Sequence, residues 1–301
     1  MCAIFGLLDP RENLSRKEKQ RIIQALGWEA QIRGTDATGL AWVEKGRIGI
    51  RKAPCAAWRF AFRFPGEAKI LMGHTRMTTQ GSEKQNQNNH PFPGKAGTTS
   101  FALAHNGVLH NDSALRRIHR LPGNRVQTDS YVAVQLLEKA GEISHASLAA
   151  MAEELEGSFT FTVLTDQNSL FFLKGNNPLS LWHFPESGVY LYASTEEILT
   201  RAAARAGLWG KKEKVLISQG QILEIDSAGQ RSWGQFDASR LDQGLFWRRS
   251  WYPLSGDWGR ELRSLAGAFG YSGEDVARLE SEKYMNMKHL EAALEDASIA
   301  G

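Results

Sequence analysis

The sequence predicts an α+β protein in which sheets of short strands are layered with a few helices. Three observations carry that expectation. Apolar runs of strand length recur along the chain, from Ala3–Leu8 through Ile70–Arg76 to Gln221–Ile225. Only a few segments between them show helical spacing, among them Ile22, Ile23 and Leu26, and Val132, Val134, Leu136 and Leu137. Turn chemistry separates the runs, as at Asp9-Pro10, Lys45-Gly46 and Gly175-Asn176-Asn177-Pro178.

The elements follow in order. Residues 3–8 are uninterrupted by any polar side chain and read as a buried strand. Ser15 is placed to cap a helix running to about Gly27. Residues 33–39 form a polar, Gly-flanked loop that feeds a strand at 40–43, and Lys45-Gly46 turns it back into 48–50. Cys55 is read as a small hydrophobe, and the aromatic residues of 58–64 predict a packed helix or a docking segment. The strand Ile70–Arg76 opens into a long polar loop, 78–89, closed by His90-Pro91-Phe92-Pro93. So long a polar loop in a folded domain is expected to cover a binding site.

Asn106-Gly107, lying between apolar runs, is by itself a hairpin turn. Thr128 or Asp129 is expected to cap a helix through Glu138, and a second helix covers about 143–155. Strand runs follow at 158–165, 169–174, 179–183 and 188–194, then a helix from Thr195 to about Ala206. Residues 214–217 and 221–225 are expected to pair as a last hairpin around Gln219-Gly220.

Composition narrows the function classes. The 301 residues carry 36 basic and 33 acidic side chains, a net charge of +3 that argues for neither nucleic acid nor a membrane surface as partner. No apolar stretch approaches the ~20 residues that span a bilayer. Two cysteines, Cys2 and Cys55, imply no disulfide framework and fit a reducing cytoplasm. His, Cys and Asp do not cluster with metal-ligand spacing, so no metal or other cofactor is expected.

Chemistry centres on Cys2. Removal of Met1 would leave a residue with both a thiol and a free α-amine, with ordinary pKa values of ~8.5 and ~7.7–8.0. Such an amine can take the thiol proton, so the nucleophile carries its own base. Taken alone, a second-position cysteine before a core strand reads as an incidental residue, because a reactive thiol needs a supporting environment.

The rest of the chain supplies candidates for that environment. They are Arg33-Gly34-x-Asp36-x-x-Gly39, Gly73-His74-Thr75-Arg76-x-x-Thr79-x-Gly81, His105-Asn106-Gly107 and Thr128-Asp129. Together with Cys2, and in this order, they resemble the glutaminase domain of class II glutamine amidotransferases, most closely that of glucosamine-6-phosphate synthase. The resemblance covers roughly residues 2–230. It implies a four-layer αββα N-terminal-nucleophile hydrolase fold of two antiparallel sheets between helices. It also implies hydrolysis of L-glutamine to glutamate and ammonia.

By that resemblance Cys2 attacks the side-chain amide, while Asn106 and the Gly107 N–H form the oxyanion hole. Arg76 and Thr79 grip the α-carboxylate and Asp129 accepts the α-ammonium. Arg33 and Asp36 order the terminus. One departure stands out: Gln80 occupies the place of a family histidine, so lid closure or coupling would differ. The same fold could instead act on another amide or γ-glutamyl compound, or serve as a non-catalytic interaction module.

Two units are expected, a glutaminase domain over 2–235 and a C-terminal helical extension over 236–301. The synthase's sugar-phosphate isomerase portion has no counterpart here, nor does a P-loop. The ammonia acceptor is therefore expected on a separate synthetase, if there is one. Trp247, Arg248, Arg249, Trp251 and Tyr252 make the extension either a docking arm, for that partner or for a second copy, or a set of helices packed on the main domain.

Overall fold

Strand β1 (Ala3–Leu8) is apolar from end to end because both of its faces are covered. The computed structural model describes residues 2–241. After β1 come α1 (Arg16–Ala30), β2 (Ala37–Glu44), β3 (Arg47–Ala53), β4 (Ile70–Arg76), β5 (Phe92–Ala96) and β6 (Thr99–Leu109). Helices α2 (Asp112–Ile118), α3 (Tyr131–Ala140) and α4 (His145–Glu154) lead to β7 (Gly157–Thr165), β8 (Leu170–Lys174), β9 (Ser180–Phe184) and β10 (Val189–Ala193). Helix α5 (Glu196–Arg205), β11 (Glu213–Lys214), β12 (Gln221–Ile225) and β13 (Arg231–Gln235) complete the order.

The strands form two antiparallel sheets. One has the order β11-β9-β10-β1-β4-β2-β3, the other β13-β12-β8-β7-β6-β5. Alternation along each strand divides the core into three layers. Ala3, Phe5 and Leu7 face α1 and α5, together with Ile22, Ile23, Leu26 and Ile198. Ile4 and Leu8 point the other way, into a seam between the sheets that includes Ala102, Ala104, Phe172 and Tyr192. Phe101 and Leu103 on β6 face α3 and α4. Helices thus cover the two outer faces, giving the αββα sandwich.

Local chemistry sets the joints. Ser15 and Glu18 make a capping box at the start of α1, with Ser15 N–H donating to Glu18 Oε2 at 2.8 Å. Between β1 and α1, buried Asp9 pairs with buried Lys19 at 3.1 Å and accepts the N–H groups of Asn13 and Leu14. Every charge there is partnered, as burial requires.

Four local expectations are corrected. Residues 37–39, read as loop, are the first residues of β2, where they pair with Arg76, Thr75 and His74 of β4. Residues 58–64 form one short 3₁₀ turn at Ala57–Arg59 and then extended backbone, with Phe60, Phe62 and Phe64 buried under α1. Asn106-Gly107 is not a turn, because β6 runs through it in register with Thr160 and Phe159 of β7. Residues 214–217 and 221–225 do not pair: β11 joins β9 in one sheet, while β12 joins β8 and β13 in the other. Helix α2 and strands β5 and β13 have no counterpart in the sequence reading.

Phe236 and Leu241, just past the boundary expected at residue 235, are buried beside α3 and α4. The expected extension helices and the aromatic segment of 246–253 lie outside the described residues.

At the centre of the first sheet, Phe5 sits opposite Gly73, and a Cβ on Gly73 would overlap the Phe5 ring. Gly73→Ala therefore overpacks a strand buried on both faces. Urea unfolding should show a loss of about 1–3 kcal/mol; a stability equal to the parent would mean that the ring has room to move.

Candidate active site

The site begins where β1 begins. Cys2 is half-buried, and its thiol lies 3.6 Å from the Met77 carbonyl oxygen just past the end of β4. Arg33 Nε donates to the Cys2 carbonyl at 3.0 Å. Asp36 works on the facing segment, donating its N–H to Arg76 O at 3.0 Å and accepting the Thr78 N–H at 2.7 Å. Gly34 makes the close approach possible, since a Cβ there would overlap the Arg76 backbone. Arg33 and Asp36 thus hold backbone around the thiol. Burial pushes the Cys2 thiol up; the positive chain terminus, the Met77 carbonyl contact and the Arg76 charge oppose that rise, while Asp129 adds to it.

The second sheet supplies the opposite wall. Asn106 and Gly107 lie within β6, and Gly107 has φ +147°, a conformation that L side chains rarely adopt. A Cβ on Gly107 would overlap Ser158 O and crowd Asn177 Nδ2 at 2.6 Å. Asn177 Nδ2 donates to the Asn106 carbonyl at 2.9 Å, and Asn106 Nδ2 donates to Ser194 Oγ at 3.3 Å. The Asn-Gly pair that mimics a turn in sequence is here a distorted strand position.

Arg76 closes β4 and turns its guanidinium into the 78–89 loop. It donates to Asn89 Oδ1 at 2.7 Å, to Gly81 O at 3.3 Å and, more tightly, to Gln80 O. Of its five N–H bonds, two remain for other partners. Gln80 also reaches across the site, where its Oε1 accepts the Asp129 N–H at 3.0 Å. Asp129 is not a helix cap: its Oδ2 accepts Leu109 N–H at 2.6 Å, which ties it to the end of β6, and Thr128 makes no cap bond to α3. Thr79 is exposed on the loop.

The loop is cross-braced by two fully buried asparagines. Asn88 exchanges hydrogen bonds with Gln127, both at 2.9 Å, and Asn89 donates to Glu83 O at 2.7 Å. Lys52 Nζ donates to Asn89 O at 2.7 Å, and burial and then Arg76 lower its pKa to about 8.

Beneath the loop lie three buried imidazoles. His74 Nε2 donates to His105 O at 2.9 Å, and its pKa is lowered to about 3, chiefly by burial. His105 Nδ1 lies 2.7 Å from Ser130 Oγ. The His90 ring centre lies 4.3 Å from those of both His74 and Phe92, tilted against each, with no protein partner on either nitrogen. Burial holds its pKa well below the usual range, helped by His74, His105, Arg76 and Lys52. All three rings are neutral near pH 7. Among the described residues no group of three or more His, Cys, Asp or Glu is placed to hold a metal ion, and no helix is long and apolar enough to cross a membrane.

The fold therefore gathers Cys2, Arg33, Asp36, Arg76, Gln80, Asn106, Gly107 and Asp129 where the two sheets meet at the start of β1. Sequence reasoning missed Asn88, Asn89, Asn177 and Ser194. An Asn-rich loop and a serine ending an apolar strand were their only signals, and neither announces burial.

The antiparallel αββα sandwich is the fold that the sequence resemblance implies. The comparisons agree. Residues 74–201 match the glutamine amidotransferase domain family, a span that takes in Arg76, Thr79, Gln80, Asn106, Gly107 and Asp129. The glutamine–fructose-6-phosphate aminotransferase of Sulfurisphaera tokodaii is 30% identical over 188 residues, covering 60% of this chain and 31% of that relative. The Mycobacterium bovis enzyme of the same name is 27% identical over 277 residues, covering 86% of this chain and 40% of that relative. In structure, the glutamine phosphoribosylpyrophosphate amidotransferase of B. subtilis superposes with a TM-score of 0.62 at 18% identity, covering 79% of this chain and 50% of that one. The chain is thus similar in sequence to glutamine amidotransferases over residues 74–201, and its fold is shared with one of them. It spans about a third of the length of the curated relatives it matches.

Neutral buried histidines make folding acid-sensitive. Unfolded, each imidazole titrates near ~6.5; folded, it resists protonation, so its contribution is intact above about pH 6.5 and is lost as the pH falls below it. His90→Phe keeps a ring of similar shape and removes one such group. Between pH 7 and pH 5 the variant should lose up to about 2 kcal/mol less unfolding free energy than the parent. Identical losses would show that His90 is not buried neutral.

Proposed function

We propose that this domain hydrolyses L-glutamine to glutamate and ammonia, with Cys2 as nucleophile once Met1 has been removed. The observation that supports this most directly is the setting of the Cys2 thiol. A cationic Arg76 and an anionic Asp129 both lie close enough to act on it electrostatically. Those two charges suit the α-carboxylate and α-ammonium of a free amino acid, whose side-chain amide then meets the thiol.

The chemistry follows from the environment. Burial keeps the thiol protonated, so its reaction needs a nearby base, and the Cys2 α-amine is covalently placed to be one. The amine takes the thiol proton while sulfur attacks the amide carbon. Negative charge develops on the carbonyl oxygen, where the Asn106 amide and the Gly107 N–H donate to it. Collapse breaks the carbon–nitrogen bond, and the proton held by the amine passes to the departing nitrogen to give ammonia. A γ-glutamyl thioester remains on Cys2. Water, deprotonated by the same amine, attacks that thioester and releases glutamate with the free thiol.

The relatives' name pairs glutamine with a sugar-phosphate acceptor, and on that pattern the ammonia formed here passes to a separate synthetase. The full-length chain, given L-glutamine, should release glutamate and ammonia in equal amounts, and Cys2→Ala should release neither. Turnover by Cys2→Ala, or none by the parent, would remove the proposal.

The two ends of the site should separate kinetically. Arg76→Lys keeps the charge but loses the guanidinium fork and should chiefly raise KM. A lost charge-assisted bond is worth ~1.5–3 kcal/mol, or roughly ten- to a hundredfold. Asn106→Ala should lower kcat by ~10²–10³ with little change in KM. An Asn106→Ala variant altered only in KM would place Asn106 in binding instead.

A further inference from the structure

The Ser194 hydroxyl sits where the nucleophile strand and the second sheet come closest. Ser194 follows the last residue of β10 and is fully buried. Its N–H donates to Ile4 O at 2.9 Å, which extends the ladder with β1 by one bond. Its side chain completes the other half of that pairing, because Ser194 Oγ accepts the Ile4 N–H at 3.0 Å. The same oxygen accepts from Asn106 Nδ2 at 3.3 Å, across the seam between the sheets. One atom thus bonds both to the strand headed by Cys2 and to the amide assigned to the oxyanion hole.

We propose that Ser194 is a positioning residue that sets the Asn106 amide at its working distance from Cys2; this rests on the glutaminase reading above. A primary amide has two N–H bonds. Ser194 takes one, which fixes the side-chain torsion of Asn106 and leaves the second N–H for the substrate oxygen. Asn177 fixes the other half of the same residue through its 2.9 Å bond to the Asn106 carbonyl, so backbone and side chain are separately held. An oxyanion donor contributes most when it needs no reorganisation as charge develops. A serine shared with the nucleophile's strand couples the two groups, so that neither moves without the other. The hydroxyl oxygen spends its two acceptor sites on these bonds, and the hydroxyl hydrogen is left to face Ile4 O at 3.5 Å.

The test compares Ser194→Ala and Ser194→Cys with the parent and with Asn106→Ala, all in the full-length chain. Ser194→Ala should lower kcat for L-glutamine about ten- to a hundredfold and change KM less than about twofold, and Ser194→Cys, with a weaker acceptor in the same place, should fall between. On the Asn106→Ala background, Ser194→Ala should cost no further activity. Alkylation of Cys2 by iodoacetamide builds no oxyanion, so its rate should match the parent's in both serine variants. Three results would overturn the proposal: parental kcat in Ser194→Ala, a full additional loss on the Asn106→Ala background, or a fall in alkylation that parallels the fall in kcat. The last would show that Ser194 acts on the Cys2 strand rather than through Asn106. If Ser194→Ala does not fold, parental kcat in Ser194→Cys overturns it, and a kcat loss at parental alkylation rate upholds it. An inactive parent enzyme would instead bring down the glutaminase reading itself.

Discussion

The arrangement depends on the pinning of β1. Its backbone is bonded on one edge to β4 and on the other to β10, in register along both. Its side chains are shared between the helix layer and the seam between the sheets. A strand held on four sides cannot slide, because a one-residue slip would carry Phe5 out of the α1 layer and into the seam. Cys2 inherits that rigidity. It stands one residue before the ladder, where the core ends and polar groups begin, so its thiol is held in place without being sealed off.

Everything polar in the site is arranged around that fixed point. The strap of residues 78–89 is long, but it is no loose cover: Arg76 and Lys52 bond it to the body through Asn89, and Gln127 does so through Asn88. Arg76 therefore has two tasks, holding the strap and presenting charge, and Gln80 links it to Asp129 through a backbone carbonyl on one side and a side-chain amide on the other. A neutral Gln80 makes that link insensitive to pH, whereas a histidine there would titrate near ~6.5. The buried His74, His90 and His105 cost stability in acid, yet they fill the space under the strap with flat rings and add no charge that competes with Arg76 or Asp129.

The sequence was most legible where burial is one-sided or complete over several residues. β1, β4, β7, β10 and the capped helix α1 all lie within a few residues of their expected places, because period and turn chemistry agree there. Legibility failed where distant pairing overrides local preference. Asn106-Gly107 carries hairpin chemistry, but β7 offers a full ladder alongside it, and the glycine absorbs the distortion. Residues 214–225 are adjacent in sequence yet go to different sheets, which no local pattern can encode. Within the site, Cys2 and the charged residues were recognisable by chemical type and order. Ser194 and Asn177 were not, because a buried hydroxyl or amide gains its meaning only from what folding brings beside it.

The central claim is that Cys2, as the first residue of the processed chain, forms a covalent bond to glutamine. Acid quenching during steady-state turnover of L-glutamine, followed by intact-mass and peptide mapping, tests it most directly. The account predicts a chain beginning at Cys2 with a γ-glutamyl thioester on that residue and unmodified Cys55. Turnover by a chain that retains Met1, or an acyl group found at Cys55, would contradict it.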